Sequence, residues 1–74
     1  MSKQKIIADI LTEMAKDDNI DIDLACEVSE VAYEVEELYN LMKLWKLSSK
    51  SNKKYLINKM QEILESYKLF GMVV

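Results

Sequence analysis

The chain has 74 residues, a formal net charge of −3 at neutral pH, one cysteine, no histidine and no proline, and half of its residues are hydrophobic. One cysteine excludes an internal disulfide, and the lack of histidine argues against structural zinc. This composition suits neither a disordered chain nor a turn-rich β fold. We therefore expect one all-α domain over residues 1–74, with a marginal core that an oligomer or a partner supports.

The first predicted helix starts near Ser2, whose hydroxyl can cap the free amides of the first turn, and ends near residues 17–19. Its apolar residues recur as neighbouring pairs along one face. They are Ile6, Ile7, Ile10, Leu11, Met14 and Ala15. This spacing predicts an amphipathic helix that covers or crosses the rest of the domain.

The second predicted helix starts after a cap at Asp21 or Asp23 and runs to about Leu47. An apolar residue occupies every first and fourth position of three heptads, at Leu24, Val28, Val31, Val35, Leu38, Met42 and Trp45. This alternation is typical of one continuous helix with an apolar seam. The third predicted helix repeats the spacing after a polar stretch at residues 48–52 and ends at Gly71, the only glycine. The second and third helices should pair as a long antiparallel hairpin.

The second predicted helix carries more apolar surface than an ordinary amphipathic helix buries. Between Leu38 and Leu47 only Asn40, Lys43 and Lys46 are polar, so the apolar side covers far more than the usual ~100°. We expect part of it to remain exposed as an interface for a homo-oligomer or a larger protein partner. The residues of this predicted interface are Tyr39, Leu41, Leu44 and Trp45. In the alternative, the first helix covers them and the protein is a monomer.

Charge is segregated along the chain. Every charged residue from Asp17 to Glu37 is acidic, and every charged residue from Lys43 to Lys59 is basic. Four acids recur at helical spacing and define an acidic stripe, formed by Glu27, Glu30, Glu34 and Glu37. A row of carboxylates can mimic nucleic-acid phosphates, which suggests an inhibitor that blocks a binding cleft.

The acidic stripe has a second interpretation, because carboxylates are the ligands that Mg²⁺ prefers. Only Glu62 and Glu65 follow Glu37, however, so the third helix offers little to complete such a site. We expect a solvated acidic face, no bound metal and no cofactor. Without a histidine base or a glycine-rich phosphate loop, we also expect no enzymatic activity.

The lysine-rich turn between the second and third helices is a candidate anion site. Lys50, Lys53, Lys54 and Asn52 surround the predicted N-terminus of the third helix, where free backbone amides attract phosphate. Direct nucleic-acid binding is not expected, since the chain has no arginine for bidentate contacts to guanine and its first connection is acidic.

We predict a small non-enzymatic binding protein, a regulator or inhibitor of bacterial or phage type that occludes a larger protein through the apolar surface and the acidic stripe. The alternative is an oligomer that binds or sequesters phosphate or nucleotide at the lysine-rich turn. No segment approaches the roughly 18 uncharged apolar residues of a membrane span. The single free thiol agrees with a reducing compartment, so we expect a cytoplasmic protein without membrane contact.

Overall fold

The computed structural model describes residues 2–73 of the chain, with side chains for residues 2–70. Four helices follow one another: α1 Lys3–Ala15, α2 Ile22–Ala32, α3 Glu36–Leu47 and α4 Lys50–Val73. The described part of the chain contains no strand. The prediction of an all-α fold is confirmed.

Short polar side chains hold the start of α1 and the connection between α1 and α2, and the predicted caps at Ser2 and Asp21 are confirmed. The Ser2 hydroxyl caps α1 by accepting a hydrogen bond from the Lys5 amide at 3.3 Å. After α1, the Asp17 carboxylate accepts a hydrogen bond from the amide of Asn19 at 2.9 Å. Asp21 then caps α2 by accepting from an amide two residues later. These bonds fix the connection as a series of turns close to the helix ends.

The prediction of one continuous helix up to Leu47 is wrong, because the chain turns between α2 and α3. Val35 has extended backbone angles, φ −103° and ψ 103°, and no side chain caps α3. The amides of Glu34 and Val35 both donate to the carbonyl of Val31, at 3.0 and 2.9 Å, so α2 closes in a tight turn. The predicted three-helix arrangement is therefore replaced by four helices.

Burial of apolar side chains gives a physical reason for the turn. A continuous helix from Asp23 to Leu47 would be roughly 37 Å long and would carry Leu38, Met42 and Trp45 away from the apolar face of α2. By turning, α3 lies against α2 and both bury their apolar faces together. Glu36 and Glu37 then occupy the first turn of α3, where the helix dipole favours negative charge.

The end of α4 also differs from the prediction. The helix continues through Gly71 to Val73, and no described residue has a positive φ angle. Gly71 therefore does not close the helix in the left-handed conformation. No helix in the described part of the chain is long and apolar enough to cross a membrane.

The α2 and α3 helices form the centre of the fold, and each packs against all three other helices. The α1 and α4 helices flank this pair, and their described backbones do not meet. All four helices contribute to one buried core, made of Ile7, Ile10, Met14, Ala25, Val28, Ala32, Leu38, Tyr39, Met42, Trp45, Leu56, Met60 and Leu64. Most of the predicted seam therefore faces inward, although its helix is broken.

Two leucines of α3 provide a matched test of this packing. Leu38 is fully buried, whereas Leu47 is 85% exposed. We expect Leu38→Ala to lower the free energy of unfolding by about 2–5 kcal/mol, because it removes buried methyl groups and leaves a cavity. Leu47→Ala should change it by no more than about 0.5 kcal/mol. Urea unfolding followed by circular dichroism measures both, and equal effects would contradict the packing of α3.

Candidate functional site

A cleft of about 510 Å³ lies where α4 begins. We call it the lysine cleft. The connection between α1 and α2, the end of α3 and the first turns of α4 form its walls. It is lined by Asp17, Asn19, Ile20, Trp45, Lys50, Lys53, Lys54, Ile57 and Asn58. The structure thus brings together the three lysines that the sequence indicated.

Helical geometry explains which α4 residues reach the lysine cleft. Successive residues are rotated by about 100°, so Lys50, Lys53, Lys54, Ile57 and Asn58 occupy one sector of roughly 140°. The predicted Asn52 is rotated by about 200° from Lys50. It is exposed and does not line the cleft. Asn58, about two turns after Lys50, is on the same face and lines the cleft, as its helical position predicts.

Trp45 connects the lysine cleft to the core. Its side chain is only 1% exposed, and the Lys53 Nζ lies 4.5 Å from the centroid of its ring, as in a cation–π contact. The indole Nε1 is buried and has no hydrogen-bond partner among the described residues. An unsatisfied buried donor of this kind costs about 1–3 kcal/mol. One residue of the cleft lining, Trp45, therefore carries a buried hydrogen-bond donor without a partner among the described residues.

The lysine cleft has an excess of positive charge. The ion pairs of the described residues join Lys3 to Glu36, Lys59 to Glu62 and Lys68 to Glu27. The three lysines of the cleft take part in none of them. Its lining contains one acid, Asp17, whose carboxylate is already hydrogen-bonded to a backbone amide. The positive end of the α4 dipole adds to this field.

The predicted apolar interface is not formed as a single exposed patch. Tyr39, at 8% exposed, and Trp45 belong to the core, and Leu41 packs against the core while partly exposed. The ammonium groups of Lys3 and Lys43 lie 4.7 and 4.6 Å from the centroid of the Tyr39 ring. We therefore correct Tyr39 and Trp45 to core positions, because α1, α2 and α4 enclose the inner side of α3.

Part of the apolar surface of α3 remains exposed. Leu44 is 53% and Leu47 is 85% exposed, and they stand three residues apart on the helix. Leu47 also lines a groove of about 280 Å³ between α1 and α3. The groove is otherwise lined by Ile6, Asp9, Ile10, Lys43 and Lys46. We call the exposed surface formed by Leu44 and Leu47 the leucine strip.

The acidic stripe is interrupted and partly engaged within the chain. The Lys68 Nζ lies 2.6 Å from a carboxylate oxygen of Glu27, and the turn after α2 places Glu37 on a different helix. Glu30 is exposed. Among the described residues, no three acidic, cysteine or histidine side chains are grouped so that they could hold a metal ion.

Glu34 has a specific partner at the far end of α4. The hydroxyl of Tyr67 donates a hydrogen bond to a carboxylate oxygen of Glu34 at 2.7 Å. This hydrogen bond, together with the negative charge of Glu34, raises the pKa of Tyr67 above its ordinary value of 10.0. The contact attaches the turn after α2 to α4, so Glu34 has a structural role.

Comparison with known proteins does not assign the chain to a family. The chain matches no protein-family model, no curated protein and no solved structure. The function is therefore inferred from the shape and charge of the lysine cleft and of the leucine strip.

The contact between Tyr67 and Glu34 gives a pH-dependent prediction. Because folding raises the pKa of Tyr67, its contribution to stability is present below the ordinary value and is lost as the pH rises through the raised value. We expect Glu34→Gln to lower the pKa of Tyr67, since it removes the negative charge. NMR titration of the tyrosine rings measures this change. The control Glu30→Gln should leave the pKa of Tyr67 unchanged, and an unchanged titration in Glu34→Gln would contradict the contact.

Proposed function

We propose that the protein is a small non-enzymatic binding protein and that the lysine cleft holds an anionic ligand, with phosphate compounds as the favoured class. One observation carries this proposal. Lys50, Lys53 and Lys54 meet in a concave site whose only acid is Asp17, and no carboxylate of the described residues forms an ion pair with these lysines.

The chemistry of the lining fits a phosphate ligand. Lysine ammonium groups form charge-assisted hydrogen bonds to phosphate oxygens. The amides of Lys50, Ser51 and Asn52 have no carbonyl partner within α4 and lie at its positive end, whereas the Lys53 amide donates to the carbonyl of Ser49. The volume of about 510 Å³ falls within the ~300–1,000 Å³ typical of small-molecule sites.

Ligand binding would also affect the stability of the fold. The lysine cleft joins the connection after α1 to the start of α4, two segments on either side of the central helices. An anion bound between them would relieve the repulsion among the lysines and stabilise the folded state by mass action. Such coupling suits a protein that sequesters or senses its ligand.

The anion proposal is tested with inorganic tripolyphosphate, and isothermal titration calorimetry measures its affinity. We expect the triple change Lys50→Glu, Lys53→Glu and Lys54→Glu to weaken binding at least about tenfold, which corresponds to ~1.4 kcal/mol. Added salt should also weaken binding, because the cleft is open to solvent.

The matched control places the same charge change elsewhere. Lys5, Lys46 and Lys59 are exposed and do not line the lysine cleft. Their triple change to Glu alters the net charge equally and should reduce the affinity much less. An equal loss in both variants would contradict a defined site and would indicate attraction by overall charge alone.

A second candidate function is the docking of another protein chain on the leucine strip, either a second copy or a larger partner that the protein occludes. The exposure of Leu44 and Leu47 favours it, since two large apolar side chains in water forgo the free energy of burial. Glu30 and Glu37 remain exposed and would provide an acidic rim for a regulator or inhibitor. In this proposal Tyr39 and Trp45 support the strip from the core.

Native mass spectrometry over a range of concentrations tests self-association through the leucine strip. We expect multiples of the chain mass at high concentration, and their loss when Leu44 and Leu47 are both changed to Ser. Leu69 is 64% exposed on α4, so Leu69→Ser is a control that should preserve the oligomer. Oligomers that persist in the double variant would contradict this interface, and a monomeric wild type would exclude self-association and leave the larger partner as the occupant to seek.

A further inference from the structure

We infer that the ligand of the lysine cleft is a nucleoside polyphosphate, an inference that rests on the proposed anion site and specifies its ligand. The lining divides into two chemically different parts. Lys50, Lys53 and Lys54 lie at the start of α4. Ile57 and Asn58 lie one turn after Lys53 and Lys54. A ligand that satisfies both parts has a highly charged group at one end and a flat, weakly polar group at the other.

The charged part of the cleft favours several phosphates over one. Three lysines and the positive end of α4 are opposed by the single carboxylate of Asp17. A lone phosphate group would also leave most of the 510 Å³ unfilled. A chain of two or three phosphates carries more negative charge and can contact successive lysines.

The lining of the cleft also contains the groups that a nucleobase needs. Ile20 from the connection and Ile57 from α4 provide apolar surface for a flat ring. Asn19 and Asn58 provide side-chain amides, each of which offers both donors and an acceptor to the edge of a base.

The length of the site agrees with this division. Asn58 follows Lys50 by eight residues, which places it roughly 12 Å further along the axis of α4. An extended nucleotide can therefore place its phosphates at the lysines and its base beside Ile57 and Asn58.

Trp45 supplies an independent observation. Its side chain is almost fully buried, it lines the cleft, and its indole N–H has no acceptor among the described residues. The Nε1 atom is itself shielded from solvent, so a bound nucleotide could pair with it only after a shift of the indole ring or of the Lys53 side chain above it. Trp45 is also the only tryptophan of the chain, so tryptophan fluorescence reports on this one position.

The test compares ATP with inorganic tripolyphosphate and adenosine at constant ionic strength, by calorimetry and by Trp45 fluorescence excited at a wavelength that adenine does not absorb. We expect ATP to bind at least about tenfold more tightly than tripolyphosphate, because the base adds contacts that the phosphates lack. We expect Asn58→Ala to weaken ATP binding about threefold or more and to leave tripolyphosphate binding nearly unchanged.

Asn52 provides the matched control, since it is an asparagine of the same helix that does not line the cleft. Asn52→Ala should leave the affinities for both compounds unchanged. Equal affinities for ATP and tripolyphosphate would overturn the nucleotide inference while preserving the anion site. Failure of the folded protein to bind either compound would overturn both. If Asn52→Ala weakened ATP binding as much as Asn58→Ala, that result would also contradict the assignment of the base to the Asn58 end.

Discussion

The turn between α2 and α3 is the constraint on which the other features depend. A straight continuation would carry residues 36–47 about 18 Å further along the axis of α2. The turn instead places Leu38, Met42 and Trp45 in the same core as Val28. Burial of each large apolar side chain contributes ~1.5–3 kcal/mol. Together they outweigh the helical hydrogen bonds lost at the turn and the absence of a side-chain cap at Val35.

The position of the lysine cleft follows from this packing. Once Trp45 is fixed in the core, the chain has only residues 48 and 49 before α4 begins. The Ser48 amide donates to the carbonyl of Trp45 at 3.1 Å, and its hydroxyl donates to the carbonyl of Leu44 at 2.7 Å, so this connection is short and well defined. The first turn of α4 therefore starts beside the indole ring, and Lys53 reaches its face. A site held by the core in this way needs little rearrangement to accept a ligand.

The sequence predicts which side chains face inward better than it predicts where a helix axis turns. Val31, Val35 and Leu38 keep inward positions on both sides of the turn, so the heptad spacing continues although the helix does not. No glycine, proline or capping side chain at residues 33–35 indicates the break. The burial of Tyr39 depends on contacts between distant helices, which periodicity alone does not contain. Asn58, by contrast, was predictable, because its place on α4 follows from helical rotation.

The segregated charges also acquire a physical meaning in the fold. The acids Glu27 and Glu34 contact Lys68 and Tyr67, near the far end of α4. Lys68 lies eighteen residues after Lys50, roughly 27 Å along the helix. This separation exceeds the ~8–10 Å over which exposed charges interact at moderate salt. Glu27 of α2 and Glu34 of the following turn therefore hold α4 in place without neutralising its first turn, and the excess positive charge of the lysine cleft persists in the folded protein. Repulsion among these lysines opposes folding. An anion that binds there relieves this repulsion, and the relief adds to its affinity.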